Sequence, residues 1–145
     1  MTQSLEDYLK TISILSDEAG GPVRVTDIAA RREVSKPSAF TALKVLEERG
    51  FVEHGRYRTV TLTKAGNKEA ALIRERYALL VVFLRQIVGV SIEQAGKDAC
   101  LLEHHLSQET ISKIKTLVQT SYETDRKNRD GKANCFSRII GSNIL

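Results

Sequence analysis

The 145-residue chain reads as mainly α: an N-terminal winged helix-turn-helix with a small β-hairpin wing, followed by a helical dimerisation domain. Three observations predict this. The run from Ser35 to Gly50 is written like a capped helix, with Ser35 as N-cap, Pro37 in the first turn and Gly50 at the end. Residues 51–54 and 59–62 then alternate like paired strands around a turn at 55–58. Everything after Thr63 returns to helical spacing, and the stretch from Tyr77 to Val90 is apolar nearly all round. A helix of that kind is buried on two sides. In a chain this small, the second side points to another subunit.

Composition sets the outer limits. With 41% hydrophobic and 28% charged residues the chain has the balance of a soluble globular protein. No apolar run approaches the ~20 residues of a membrane span, and the N-terminus lacks the features of a signal peptide. Two cysteines, Cys100 and Cys135, make no disulfide framework, so a reducing cytoplasm is expected. Between Arg24 and Lys64 there are nine basic and five acidic residues, so this segment alone carries the whole chain's net charge of +4. Such an excess is compatible with a nucleic-acid footprint.

In chain order, Ser4 and Asp7 resemble a capping box, and Leu5, Tyr8, Leu9, Ile12 and Leu15 follow at helical spacing. The breaker cluster 19–22 ends this first helix. Asp7 has two readings here, a helix cap or an oxygen ligand. Thr26 is expected to cap a short helix carrying Ile28, Ala29 and Ala30. In the helix that Ser35 starts, Phe40 or Ala39, with Leu43 and Leu46, mark the buried face. Lys36, Ser38, Thr41 and Lys44 lie on the other side, where amines and small hydroxyls can approach phosphates and base edges. Ser35, Lys36, Pro37, Ser38, Thr41 and Lys44 are thus the candidate DNA-binding residues of a recognition helix. Arg56 and Arg58 at the wing tip complete the set, placed for the backbone or minor groove.

Thr63 caps a long helix predicted to run to Val88, Ser91 caps the next, and a further helix runs from Gln108 to about Tyr122. Ile111, Ile114, Leu117 and Val118 form the inner face of that last helix. The expected division is a winged-helix domain over 1–63, a helical domain over 64–122 and a tail over 123–145. In the tail, Phe136, Ile139, Ile140, Ile144 and Leu145 can make a small apolar contact, and Cys135 has a bland role.

The chemistry concentrates in Asp98–Ser107. There Cys100, Glu103 and His104 fall at i, i+3 and i+4, spacings that share one helix face. A thiol, a carboxylate and an imidazole on one patch offer S, O and N donors to one divalent transition metal. The competing reading is a buried cysteine beside a solvated Glu-His pair. A zinc hydrolase using Glu103 as base is a third reading, but it lacks a pocket-forming sheet and another histidine ligand, so an enzyme is not expected.

With these residues in view, the chain resembles the metal-responsive repressors of the diphtheria toxin repressor and manganese transport regulator family. The likeness runs from Ser4 to about Val118. Its carriers are residues 5–9, 25–29, 35–38, 61–66 and, most specifically, 98–107. The resemblance implies a cytoplasmic homodimer that binds double-stranded DNA at a palindromic operator and controls metal homeostasis genes. It assigns metal-ligand roles to Asp7, Cys100, Glu103 and His104, so that a divalent ion joins the first helix to the dimerisation domain and fixes the angle of the DNA-binding domain. At this length the short, two-domain form is implied.

Three departures matter. Lys10 stands where manganese-type members carry a glutamate, Tyr77 where the family commonly has a ligand histidine, and Gly96 where iron-type members have another. The family's second metal position is therefore dismantled. Cys100 replaces a carboxylate of the manganese-type site, so Fe2+ is the favoured ion and Mn2+ next, with Zn2+, Co2+ or Ni2+ able to bind in vitro. The alternative is a winged-helix regulator that no longer needs metal and senses through the Cys100 thiol.

Overall fold

A computed structural model describes residues 1–128 of the chain. Its backbone forms two compact units that divide between Arg74 and Glu75. The elements of the first are α1 (Gln3–Ala19), β1 (Val23–Arg24), α2 (Val25–Arg31), α3 (Lys36–Glu48), β2 (Val52–His54) and β3 (Thr59–Leu62), with α4 (Lys64–Phe83) crossing the division. The second holds the rest of α4, then α5 (Ile92–Leu102) and α6 (Gln108–Asn128).

The first unit is a winged helix. Its sheet is antiparallel in the order β1-β3-β2, with Val52 opposite Leu62 and His54 opposite Val60. The predicted hairpin is present, and a two-residue strand that periodicity did not reveal, Val23–Arg24, pairs with Val60 and Thr59 on the far side of β3. Leu9, Ile12, Ile28, Leu43, Leu46 and Val60 are wholly buried and bind the three helices to the sheet. Truncating such residues to alanine typically costs ~2–5 kcal/mol, so this core fixes how α3 is presented. Arg74 donates to Ser13 Oγ at 3.0 Å and also pairs with Asp17, fastening the middle of α4 to α1.

Several expected caps hold. Ser35 Oγ accepts from Ser38 N at 3.2 Å, Ser91 Oγ from Gln94 N at 3.2 Å, and Ser107 Oγ from Thr110 N at 3.2 Å. Thr63 Oγ1 accepts from Gly66 N at 3.0 Å and donates to Gly50 O at 2.7 Å. Others are corrected. The N-cap of α1 is Thr2 with no side-chain cap, so Ser4 and Asp7 form no capping box. Thr26 does not cap α2: the helix starts at Val25 behind Arg24, and the Thr26 hydroxyl bonds to Asp27 instead. Pairing of β1 with β3 fixes Arg24 in extended backbone, which sets the start earlier than a local hydroxyl signal suggests.

Gly66 shows why the turn into α4 needs glycine. A Cβ there would lie 1.9 Å from Phe51 O, a backbone atom that cannot step aside. Gly66→Ala should therefore lower stability by about 1–3 kcal/mol or more, the usual range for overpacking. Thermal denaturation followed by circular dichroism checks this; an unchanged midpoint would mean the two segments do not meet this closely.

In the second unit, Leu80, Val81, Ala95, Ala99, Ile114 and Val118 build a separate core. The long helix stops being α-helical at Phe83 and continues as a wider π turn over Leu84–Val88, closed by Gly89 at φ 87°. Leu117, expected on the inner face of α6, is 53% exposed, while Ile111, Ile114 and Val118 are buried. Leu117 precedes Val118 and so points about 100° away from it on the helix. The last helix reaches Asn128, beyond its expected end at Tyr122, so the first residues of the predicted tail are helical. The expectations for Cys135, Phe136, Ile139, Ile140, Ile144 and Leu145 lie outside the described residues. Among the described residues no helix is long and apolar enough to cross a membrane.

Candidate metal centre and nucleic-acid interface

The triplet of residues 100, 103 and 104 closes α5. Ala95 and Ala99 turn that helix's small buried face inward, and Cys100, the next residue, stands exposed on its last turn. The helix ends at Leu102. Glu103 keeps α-helical backbone, its N donating to Ala99 O at 2.9 Å, whereas His104 already belongs to a turn closed by His105 N and Leu106 N on Leu102 O. The three were expected on one helical turn; the chain leaves the helix one residue before the histidine. Their burial also differs from the competing reading, because the thiol is exposed and the carboxylate is buried.

Glu103 is the common neighbour. The residue is 1% exposed, one of its carboxylate oxygens lies within 4.8 Å of the Cys100 sulfur, and Oε1 is 3.4 Å from His104 Nε2. Arg76 Nη1 donates to the Glu103 carbonyl at 3.0 Å and holds this turn against α4. Sulfur, oxygen and nitrogen donors around one buried carboxylate suit a divalent transition ion. Charge buried away from water is costly unless a positive partner meets it.

Tyr77 and Gly96 sit beside this group. Burial, then the negative charges of Cys100 and Glu103, push the Tyr77 phenol above its usual range, so it stays protonated and neutral at physiological pH. A Cβ at Gly96 would lie 3.4 Å from the Tyr77 hydroxyl. The two departures noted in the sequence are thus neighbours, and the phenol borders the space a residue 96 side chain would enter.

Asp7 belongs to the first unit. Arg32 Nη2 donates to its Oδ2 at 3.1 Å, and the same guanidinium lies over the Tyr8 ring, 5.4 Å from its centroid. Arg32 is in the turn between α2 and α3, so Asp7 is tied to the helix-turn-helix itself. This pair spans 25 residues, and local spacing gives no sign of it.

The nucleic-acid surface expected from the sequence is the outer face of α3 and the hairpin. Ser35, Lys36, Pro37, Ser38, Thr41, Lys44 and Arg58 are all exposed. Ser35 Oγ lies 2.7 Å from Ser38 Oγ, and Thr41 Oγ1 donates to Pro37 O at 3.0 Å. Arg56 opens the tight turn Arg56–Arg58, in which Tyr57 and Arg58 take left-handed backbone at φ 59° and 58°. Tyr57, at the tip, is 94% exposed.

Between α3 and the hairpin is an open groove of about 430 Å³ lined by Phe40, Lys44, Glu47, His54, Gly55 and Arg58. His54 Nδ1 lies 3.0 Å from Glu47 Oε2, and that hydrogen bond is the main cause holding the Glu47 carboxyl below its usual range. Of the two residues offered for the buried face, Ala39 is the one taken, and Phe40 is exposed. Sequence reasoning left Phe40 open, yet the signal was there: its neighbours at i+4 and i+7 are Lys44 and Glu47, both on the polar side.

A family model described as the iron dependent repressor N-terminal DNA binding domain matches residues 1–60. Another, described as the iron dependent repressor metal binding and dimerisation domain, matches residues 63–129. The HTH-type transcriptional regulator MntR of Bacillus subtilis is 36% identical over 132 residues, which are 91% of this chain and 92% of that protein. The transcriptional regulator MntR of Salmonella typhimurium is 41% identical over 115 residues, 79% of this chain and 72% of that one. A solved manganese-dependent transcriptional repressor in complex with manganese has a TM-score of 0.73 at 30% identity over 79% of this chain. The chain spans about half the length of that structure, 52%.

Proposed function

Because the chain belongs to the iron-dependent repressor family of metal-dependent transcriptional regulators, we propose that it is a homodimeric cytoplasmic repressor of metal homeostasis genes. Its affinity for a palindromic operator is raised by a divalent ion held by Cys100, Glu103 and His104, with Asp7 of the first unit as a further ligand. The observation that carries this reading is the buried Glu103 carboxylate flanked by a thiol and an imidazole.

A bound divalent ion supplies the positive charge that three or four such donors share. The remaining work is done by the chain. Asp7 and the triplet, engaged in one ligand set, limit the orientations of the DNA-binding unit, so more dimers can meet two half-sites about one turn, ~34 Å, apart. Couplings of this kind are typically ~1–3 kcal/mol. Ile87, Val88, Ile92 and Leu101 of the second unit are exposed apolar side chains that a second copy would cover in this dimer. Ferrous iron is the favoured ion and manganese the next. Relatives named for manganese pull toward that ion, whereas the soft thiolate of Cys100 pulls toward a later one.

One site per chain is expected, since Tyr77 and Gly96 stand where the family's second position would need ligands. Anaerobic isothermal titration should give about one tightly bound ion per chain. Two adjacent ions would overturn that count.

A second reading is favoured by one observation: Asp7 already has the Arg32 guanidinium at 3.1 Å, a built-in cation. The protein would then bind DNA without metal, with the exposed Cys100 as a thiol sensor. Titration of purified protein with Fe2+ and Mn2+ under anaerobic conditions, read by fluorescence anisotropy on genomic DNA, separates the two. Binding that rises with metal supports the first; binding indifferent to metal and chelator supports the second.

A further inference from the structure

The DNA-binding reading accounts for the cations and hydroxyls of α3 but leaves Phe40 unused. It is a large apolar side chain, 51% exposed, among Lys36, Thr41 and Lys44. Ala39, wholly buried, takes the core position beside it, so the phenyl ring is not needed inside. The ring is nevertheless held. Its centroid lies 5.8 Å from that of His54 on β2, tilted by 51°, within the range of favourable aromatic pairs. His54 is itself fixed to α3, its Nδ1 3.0 Å from Glu47 Oε2 and its backbone N donating to Glu47 Oε1 at 3.4 Å. Phe40 is therefore an apolar knob set between two elements on a basic face.

We propose that Phe40 is a specificity-determining residue that reads the 5-methyl group of thymine in the major groove; the proposal rests on the DNA-binding reading above. Apolar surface on a recognition helix has few partners on duplex DNA. Base edges in the major groove offer hydrogen-bonding atoms, and among the unmodified bases only thymine presents a methyl group there. Lys44 and Arg58, lining the same groove, supply the positive charge that brings the phosphate backbone close. Exposed phenylalanine then gains by burial what a serine or lysine at position 40 would not.

The test starts with selection of duplexes from a random library by the full-length protein with Fe2+ under anaerobic conditions. Each thymine of the selected half-site is then replaced by uracil, which removes the methyl group and changes no hydrogen-bonding atom. For the wild type, one such replacement should weaken binding about fourfold per half-site, the effect of exposing one methyl-sized group. In Phe40→Ala the uracil penalty should vanish, with the salt dependence of binding kept and the circular dichroism spectrum unchanged. Phe40→Leu should keep part of the penalty. If uracil costs nothing at any position, or costs Phe40→Ala as much as the wild type, the assignment is overturned while DNA binding stands. If no salt-dependent binding to any duplex is found, the repressor reading and this inference fall together.

Discussion

Cys100→Ala should abolish the response of DNA binding to ferrous iron while leaving the fold nearly untouched. The side chain is exposed at the end of α5 and fills no part of the core, so its removal falls within the ~0.5 kcal/mol of an ordinary surface change. What is lost is one donor next to the Glu103 carboxylate, and with it the softest ligand of the set. Even outer-shell partners of a metal ligand are worth ~10–100-fold in affinity, so loss of the donor itself should reach at least that. The DNA-binding gain that depends on the ion, ~5–150-fold for couplings of this kind, should disappear at iron concentrations that saturate the wild type. Cys100→Glu restores a ligand but of the hard kind, and should move activation toward manganese. Anaerobic anisotropy titrations with each ion measure both variants. If Cys100→Ala responds to iron like the wild type, or if manganese drives the wild type onto DNA at lower free concentration than iron, the proposed preference is wrong.

Charge reversal on the groove between α3 and the wing should have an effect of similar size on DNA binding and almost none on the fold. Lys44 and Arg58 are exposed, and both line that groove. Each phosphate contact releases about one counterion and contributes ~0.9 to the slope of log affinity against log salt. A dimer presents each residue twice, so Lys44→Glu or Arg58→Glu should reduce that slope by about two. Affinity should fall across all sequences alike, because a phosphate contact positions the protein without reading bases. Binding isotherms at several salt concentrations provide the check. Wild-type affinity with an unaltered slope in both variants would remove this face from the interface.

Much of the first unit was legible because its signals are local. Ser35, Pro37 and Gly50 frame α3 with side-chain and backbone chemistry contained in one segment, and the helix appears where they put it. Thr26 misled because the competing signal was not local: pairing of Val23 and Arg24 with Val60 and Thr59 reaches across more than thirty residues. Spacing also brought Cys100 and Glu103 together, since one helical turn relates them. It could not tell which would be buried, because burial depends on what packs over the turn. Nor could it reveal that Arg32 meets Asp7, or that Tyr77 comes to lie against Gly96. Those are meetings between elements, and their chemistry becomes visible only when the fold supplies the distance.

The bond from Thr41 Oγ1 to Pro37 O within α3 sets what that helix can say to a base pair. A hydroxyl has a single proton, and here it is given to the helix's own carbonyl. Thr41 therefore meets the outside as an acceptor. Lys44, three residues further on the same exposed side, has only protons to give. In the major groove the exocyclic amino groups of adenine and cytosine donate, while guanine offers N7 and O6 as acceptors. Of the two, Thr41 is thus suited to a base edge that presents an amino group and Lys44 to the phosphate oxygens, and Thr41 could act as a donor only by first giving up the helix's internal bond.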